Sequence, residues 1–238
     1  MTSAAENNPR LNPPWTHPRR VGLVKLRDAL ETMIARHIAT RKGEQSAIDL
    51  GCGSMPYRSL FQPTVARYLG ADIAENPDAD ILLDPHTGRV DCAAESADVI
   101  ISTQVLEHVE SPSAYLAEAR RLVKRDGVLL LSTHGFWPYH PNPRDYWRWT
   151  AAGLQRQLRD AGWETIECMG ILGLASAALS LLQDAIVVRL PRFLRTPFTT
   201  AMQCLVGIAD RAYDTAGRAE NATIFLIAAR PVEVRTPA

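Results

Sequence analysis

Two sets of residues in this 238-residue chain have types and spacings that could do chemistry. The first is Asp49-Leu50-Gly51-Cys52-Gly53, where an apolar run meets an acid and then a Gly-x-Gly turn. Glycines at a strand end let the backbone approach a ligand closely. Asp72 ends a second apolar run about twenty residues later, the spacing of a carboxylate that accepts hydrogen bonds from ribose hydroxyls. The second set is His134, His140, Asp145 and Tyr146, in a loop that also carries Phe136, Trp137, Tyr139, Trp147 and Trp149. A histidine titrating near neutrality is a natural base for a hydroxyl group. His134, His140 and Tyr146 are therefore the candidate catalytic residues. The alternative is that Asp145, Trp147 and Arg148 only pin the loop by packing and hydrogen bonds.

These residues need a frame. Leu23, Leu26, Leu30, Met33, Ile34 and Ile38 recur at helical spacing, predicting an amphipathic helix over 21–40 that ends near Arg41-Lys42-Gly43. Strands are expected at 46–50, 66–73, 79–84, 98–103, 128–132, 163–168 and 222–229. Pro56 opens a short helix after the glycine turn. Too few residues separate the second and third strands for a crossover helix. Ser111-Pro112-Ser113 caps a helix whose apolar face is Tyr115, Leu116, Ala119, Leu122 and Val123, with Gly127 as its stop. Thr150 caps another over 151–161, closed by Gly162. Strands alternating with helices make an α/β protein with a parallel sheet, and place the glycine turn and the aromatic loop on the carboxyl edge.

Composition narrows the partners. Lys+Arg and Asp+Glu are both 26, so no basic excess argues for nucleic acid. Cys52, Cys92, Cys168 and Cys204 are scattered without a C-x-x-C pair, which argues against a zinc site or a disulfide framework and fits a reducing cytoplasm. The first twenty residues lack an apolar core of the secretory type and read as a flexible, Pro-rich arm that Trp15 and Arg19-Arg20 could fold back.

The order of signals is more specific than any one of them. Gly51-Cys52-Gly53, Asp72, Asp84 and Gln104-Val105-Leu106-Glu107-His108-Val109 together resemble the class I S-adenosylmethionine-dependent methyltransferases, in particular the type 11 methyltransferase-domain group. The loop Tyr139-His140-Pro141 with Asp145 to Thr150 is similar to a segment of its bacterial members. The resemblance implies a Rossmann-like three-layer sandwich with a seven-stranded, mostly parallel sheet and an antiparallel last strand, and S-adenosylmethionine as cofactor. It puts the backbone of Asp49, Gly51, Cys52 and Gly53 against the methionine part, Asp72 on the ribose and Ile73 beside the adenine. Asp84, with Pro85 adjacent, would lie near the adenine amine, and Thr103 and Gln104 beneath the cofactor. Pro56 stands where a dinucleotide fingerprint has its third glycine, as suits a ligand with no phosphate. Some quinone-pathway relatives have a metal-associated Glu-x-x-Glu-His run; Gln104 replaces its first Glu, so no metal is expected and Glu107 and His108 read as structural.

The implied domain occupies 21–168 and 220–232, with an apolar helical insertion at 169–219. Residues 168–183 carry no charge, and Arg189-Leu190-Pro191-Arg192-Phe193-Leu194-Arg195 forms a basic, aromatic elbow. Each apolar run is shorter than the roughly twenty residues of a membrane span. The insertion could pack on the sheet, form a homodimer contact, or lie at a membrane surface beside a cytoplasmic enzyme. The expected reaction is O-methylation of a small or lipid-linked acceptor. A second reading is a non-catalytic protein of the same fold that binds partners through the insertion.

Overall fold

A computed structural model describes residues 8–84, 87–141, 144–212 and 215–232. Helix α1 (Arg20–His37) buries Leu26, Leu30, Met33 and Ile34 along one stripe. It is followed by β1 (Ser46–Leu50), the short α2 (Arg58–Phe61), β2 (Arg67–Asp72) and β3 (Ile81–Leu82). Then come β4 (Ala97–Thr103), α3 (Pro112–Leu122), β5 (Val123–His134), α4 (Ala151–Asp160) and β6 (Trp163–Gly173). Helices α5 (Leu174–Val187), α6 (Arg192–Arg211) and α7 (Thr215–Glu220) precede β7 (Ala222–Pro231).

The strands form one seven-stranded sheet in the order β3-β2-β1-β4-β5-β7-β6. Pairs from β3 through β5 are parallel, and β7 runs antiparallel to both neighbours. The fold is the Rossmann-like α/β sandwich that the sequence implies. Successive strand residues point to opposite faces, so Ile101 and Leu130 pack with Leu30 and Met33 under α1, while Ile100 and Leu129 pack with Leu116, Leu158 and Trp163 under α3 and α4.

Several boundaries differ from expectation for physical reasons. The third strand shrinks to Ile81–Leu82 because Asp84 turns the chain, accepting from the Thr87 amide at 3.2 Å, and Leu83 bridges antiparallel to Val90. Helix α3 keeps its Ser111 cap, which accepts from the Ala114 amide, but it ends at Leu122 instead of running to Gly127. Val123 is taken into the sheet opposite Ala97, and the register slips before Val128 pairs with Val99. Gly127 sits inside β5 at that slip, where a Cβ would lie 2.5 Å from a Val123 methyl. Strand β6 runs on to Gly173, five residues into the stretch expected to be helical, because β7 pairs with it as far as Ala222.

The described part of the N-terminal arm touches the domain at a few points while Trp15 stays exposed. Leu11 is buried, Asn8 Nδ2 donates to the Pro56 carbonyl at 2.7 Å, and Arg27 holds the Leu11 carbonyl at 2.9 Å.

Tyr115 joins α3 to the functional edge of the sheet. Its buried hydroxyl donates to the Leu50 carbonyl at 3.0 Å and lies 2.8 Å from Ser102 Oγ. Tyr115→Phe leaves both partners short of a hydrogen bond, which costs about 1–3 kcal/mol. Urea unfolding should show that loss in the midpoint with an unchanged slope; an unaltered midpoint would mean the hydroxyl carries no weight.

Candidate active site

The loop after β1 is built around Gly51, whose φ is +69°. A Cβ there would stand 2.6 Å from Val105 Cγ1, so only glycine lets the β1 loop cross the loop that leaves β4. The Gly51 and Cys52 amides both donate to the Ala71 carbonyl, at 2.8 and 3.2 Å, tying the turn to β2. Gly53, also at positive φ, faces open space. Gly70 on β2 gives the loop room, since a Cβ would meet Cys52 Sγ at 2.7 Å. Burial, with the neighbouring carboxylates, pushes the Cys52 thiol up to about 12, so it packs as a neutral group.

Asp72 closes the loop from the end of β2. Its Oδ2 accepts from the Gly53 amide and from Asn76 Nδ2, each at 2.8 Å, and its Oδ1 accepts from the Ile73 amide at 2.8 Å. Asn76 also donates to the Gly53 carbonyl at 2.8 Å. A carboxylate offers about four acceptor positions, and three of those of Asp72 are taken by these donors. Asn76 was not anticipated from sequence; its signal was an Asx residue in a connection too short for a helix. Asp84 lies on the same edge, exposed at the end of the outermost strand. Ile73 is half-buried beside Asp72. Pro85 lies outside the described residues.

Beneath the loop, Asp49 is buried and accepts from the Tyr68 hydroxyl at 2.7 Å, while its Oδ1 has no partner. Burial, opposed by that hydrogen bond and reinforced by the charge of Asp72, pushes Asp49 up to about 7.

Thr103 ends β4 buried, and Gln104 leaves it with φ +58°. That left-handed conformation is uncommon outside glycine. It is held by Gln104 N and Nε2 donating to the Ser132 carbonyl and hydroxyl, both at 2.9 Å. Three residues on, Glu107 is wholly buried, and its carbonyl accepts from the Tyr146 and Trp147 amides at 2.8 and 3.2 Å. The carboxylate takes Thr133 Oγ1 at 2.9 Å on one oxygen; the other lies 2.8 Å from His134 Nδ1, without hydrogen-bond alignment. Burial pushes Glu107 up, but His134 and Thr133 outweigh it and hold the carboxyl below the usual range.

His134 is buried and stacked under Trp137 at 4.4 Å, with His140 edge-on at 4.9 Å. His108 packs edge-on against His140 at 5.0 Å, and its Nδ1 meets the Arg144 carbonyl. Asp145, clamped by Arg148 at 2.5 and 2.6 Å, accepts the His140 amide at 2.9 Å and lies 3.2 Å from its ring. Arg148 also donates to the carbonyls of Trp137 and Pro138, so the loop folds onto one guanidinium. Burial first, then the nearby His134, lowers His140, leaving it neutral at pH 7 and able to take a proton.

The structure thus brings His134 and His140 together with Glu107, which was expected to be merely structural. Their ligand-type atoms lie within 4.8 Å of one another. Tyr146 is not part of this cluster: its hydroxyl donates to Glu110 at 3.3 Å and accepts from Arg144 at 3.2 Å on the surface.

A family model described as a methyltransferase domain matches residues 24–167, more than half of the chain. A probable S-adenosylmethionine-dependent methyltransferase of Mycolicibacterium smegmatis is 24% identical over 58% of this chain and 60% of its own length. A ubiquinone biosynthesis O-methyltransferase of a Ruegeria species is 30% identical over 42% of this chain and 43% of its own length. The matches therefore span less than two thirds of these relatives. Among solved structures, a Haemonchus contortus phosphoethanolamine N-methyltransferase bound to S-adenosylhomocysteine superposes with TM-score 0.56 at 13% identity, covering 86% of this chain and 53% of that one. The [4+2]-cyclase SpnF does so with TM-score 0.55 at 16% identity, covering 87% of this chain and 82% of that one.

Asp49 makes a pH prediction. Between its ordinary range and about 7 the folded protein keeps a proton that the unfolded chain has released. The resulting stability is fully present below about pH 4 and is lost as pH rises through 7. Thermal unfolding across that window should show this decline in the wild type and a flatter profile in Asp49→Asn. Parallel profiles would contradict the buried carboxyl.

Proposed function

The chain belongs to the methyltransferase-domain family, and we propose that it is an S-adenosylmethionine-dependent methyltransferase that transfers the methyl group to a hydroxyl oxygen of a small or lipid-linked acceptor in the cytoplasm. The observation that carries this reading is the adjacency of two sites on one sheet edge. The glycine loop with Asp72 ends β1 and β2, and the Glu107–His134–His140 cluster spans the ends of β4 and β5. The relatives named ubiquinone biosynthesis O-methyltransferases favour oxygen as the methylated atom.

When bound, the cofactor supplies an electrophilic methyl on a sulfonium. The chain's task is then to hold a nucleophile in line at short range. The bare backbone of Gly51 to Gly53 lets the methionine part lie against the loop, the remaining acceptor position of Asp72 takes a ribose hydroxyl, and Ile73 and Asp84 border the adenine. Thr103 and Gln104 complete that lining in this reading, with Asp49 and Cys52 shaping the loop from below. His140, neutral and less buried than His134, accepts the acceptor's proton. Glu107 and His134 fix its surroundings, and Trp137, stacked over His134, helps exclude water.

Calorimetry and single-turnover assays separate these roles. Asp72→Ala should weaken S-adenosylmethionine binding by roughly 10- to 100-fold, the worth of a hydrogen bond to a charged group. His140→Gln should leave that affinity intact and slow methyl transfer by roughly 100-fold or more. Unchanged affinity in the first variant would remove Asp72 from the ribose; unchanged turnover in the second would remove His140 as base.

A further inference from the structure

Helices α5 and α6 bury a seam rich in polar side chains. A helix on a water-soluble domain turns its apolar stripe inward. Here Ser176, Ser180, Gln183, Thr199, Gln203 and Asp210 are all buried, alongside the apolar Ala177, Met202 and Val206. Ser176 Oγ donates to the Val206 carbonyl at 3.1 Å, and Gln203 Nε2 donates to Gln183 Oε1 at 2.8 Å. Both glutamines also donate to the Pro18 carbonyl, at 3.0 and 2.9 Å. The outward residues are large and apolar: Leu181 is 42% exposed, Leu182 49%, Leu205 48%, Ile208 63%, Val188 65% and Phe193 77%. Single exposed apolar side chains are ordinary, but a pair of helices with a hydrogen-bonded polar seam and an apolar exterior marks an interaction surface.

The charges identify the occupant. The two acids of residues 174–212, Asp184 and Asp210, are neutralised from within the protein, by Arg19 at 2.6 Å and Lys25 at 2.7 Å. At the turn between the helices stand Arg189, Arg192 and Arg195, all exposed, beside Val188 and Phe193. Arg189 and Arg195 meet backbone carbonyls of Ala185, Val188 and Leu190, and among the described residues no carboxylate pairs with the tip's arginines, which stand amid apolar side chains. A symmetric contact of this tip with a second copy would set like charges against each other. No helix among the described residues is long and apolar enough to cross a membrane.

We propose that the α5–α6 hairpin docks on an anionic phospholipid bilayer, lying in the plane of the interface with Val188, Phe193 and the outward leucines among the upper acyl chains and the three arginines among lipid phosphates. The surface is independent of the acceptor and of the transfer chemistry.

The full chain is to be sedimented with vesicles of phosphatidylcholine alone or with phosphatidylglycerol. The wild type should bind the anionic vesicles far more tightly. The variant Arg189→Gln/Arg192→Gln/Arg195→Gln should lose about 100-fold, three surface charges at about fivefold each. Val188→Ser/Phe193→Ser should weaken binding further without altering thermal stability or S-adenosylmethionine affinity, since both side chains are exposed. Equal affinity for the two vesicle types, or binding indifferent to the arginine substitutions, overturns the proposal. So does a wild-type dimer in sedimentation velocity that Val188→Ser/Phe193→Ser dissociates, which would make a second copy the occupant.

Discussion

The absence of one side-chain carbon, at Gly51, is the constraint on which the functional edge depends. The β1 loop crosses the β4 loop with Val105 where a Cβ would stand. From that crossing follow the Gly51 and Cys52 bonds to β2, the reach of the Gly53 amide to Asp72, and the capture of both by Asn76. Tyr115 braces the same point from behind through the Leu50 carbonyl. A larger residue would have to push the two loops apart, and the donors and acceptors aligned along the edge would separate with them.

Glu107 does for the second half of the edge what Gly51 does for the first. One residue gives its carbonyl to the aromatic loop and its carboxylate to the end of β5. Fully buried charge is costly unless it is paired and hydrogen-bonded, and Thr133 and His134 supply that pairing. The loop is therefore anchored at both ends, by Glu107 and by the Asp145–Arg148 clamp, with the imidazoles of His134 and His140 held between. The two halves meet where Gln104 binds Ser132, so the glycine loop and the histidine cluster share one edge of the sheet.

Much of this was legible in the sequence because it is local. The apolar runs of β1, β4 and β7, the Ser111 and Thr150 caps, and the glycine turn with its distant acid depend on nearest neighbours along the chain. What was not legible depends on pairing across the sheet. Val123 continues the apolar face of α3 in sequence, and only its partner Ala97 draws it into β5. Strand β6 reads as ending at Cys168 because the residues that extend it, through Gly173, have no alternation; β7 supplies the ladder. The surroundings of Glu107 and Tyr146 were likewise invisible, since the burial of a carboxylate and the direction in which a loop turns a phenol depend on distant contacts. The polar seam of α5 and α6 was invisible to composition, which shows that serines and leucines alternate but not which of them face inward.

The central claim is that the glycine loop and Asp72 hold the cofactor beside the histidine cluster. A crystal structure of the chain grown with S-adenosylhomocysteine tests it most directly. The account predicts density for the amino-acid moiety along Gly51 to Gly53, a ribose hydroxyl on Asp72, and the sulfur facing the side of the edge that holds His140. Density at any other surface, with the edge between β1 and β4 empty, would contradict it.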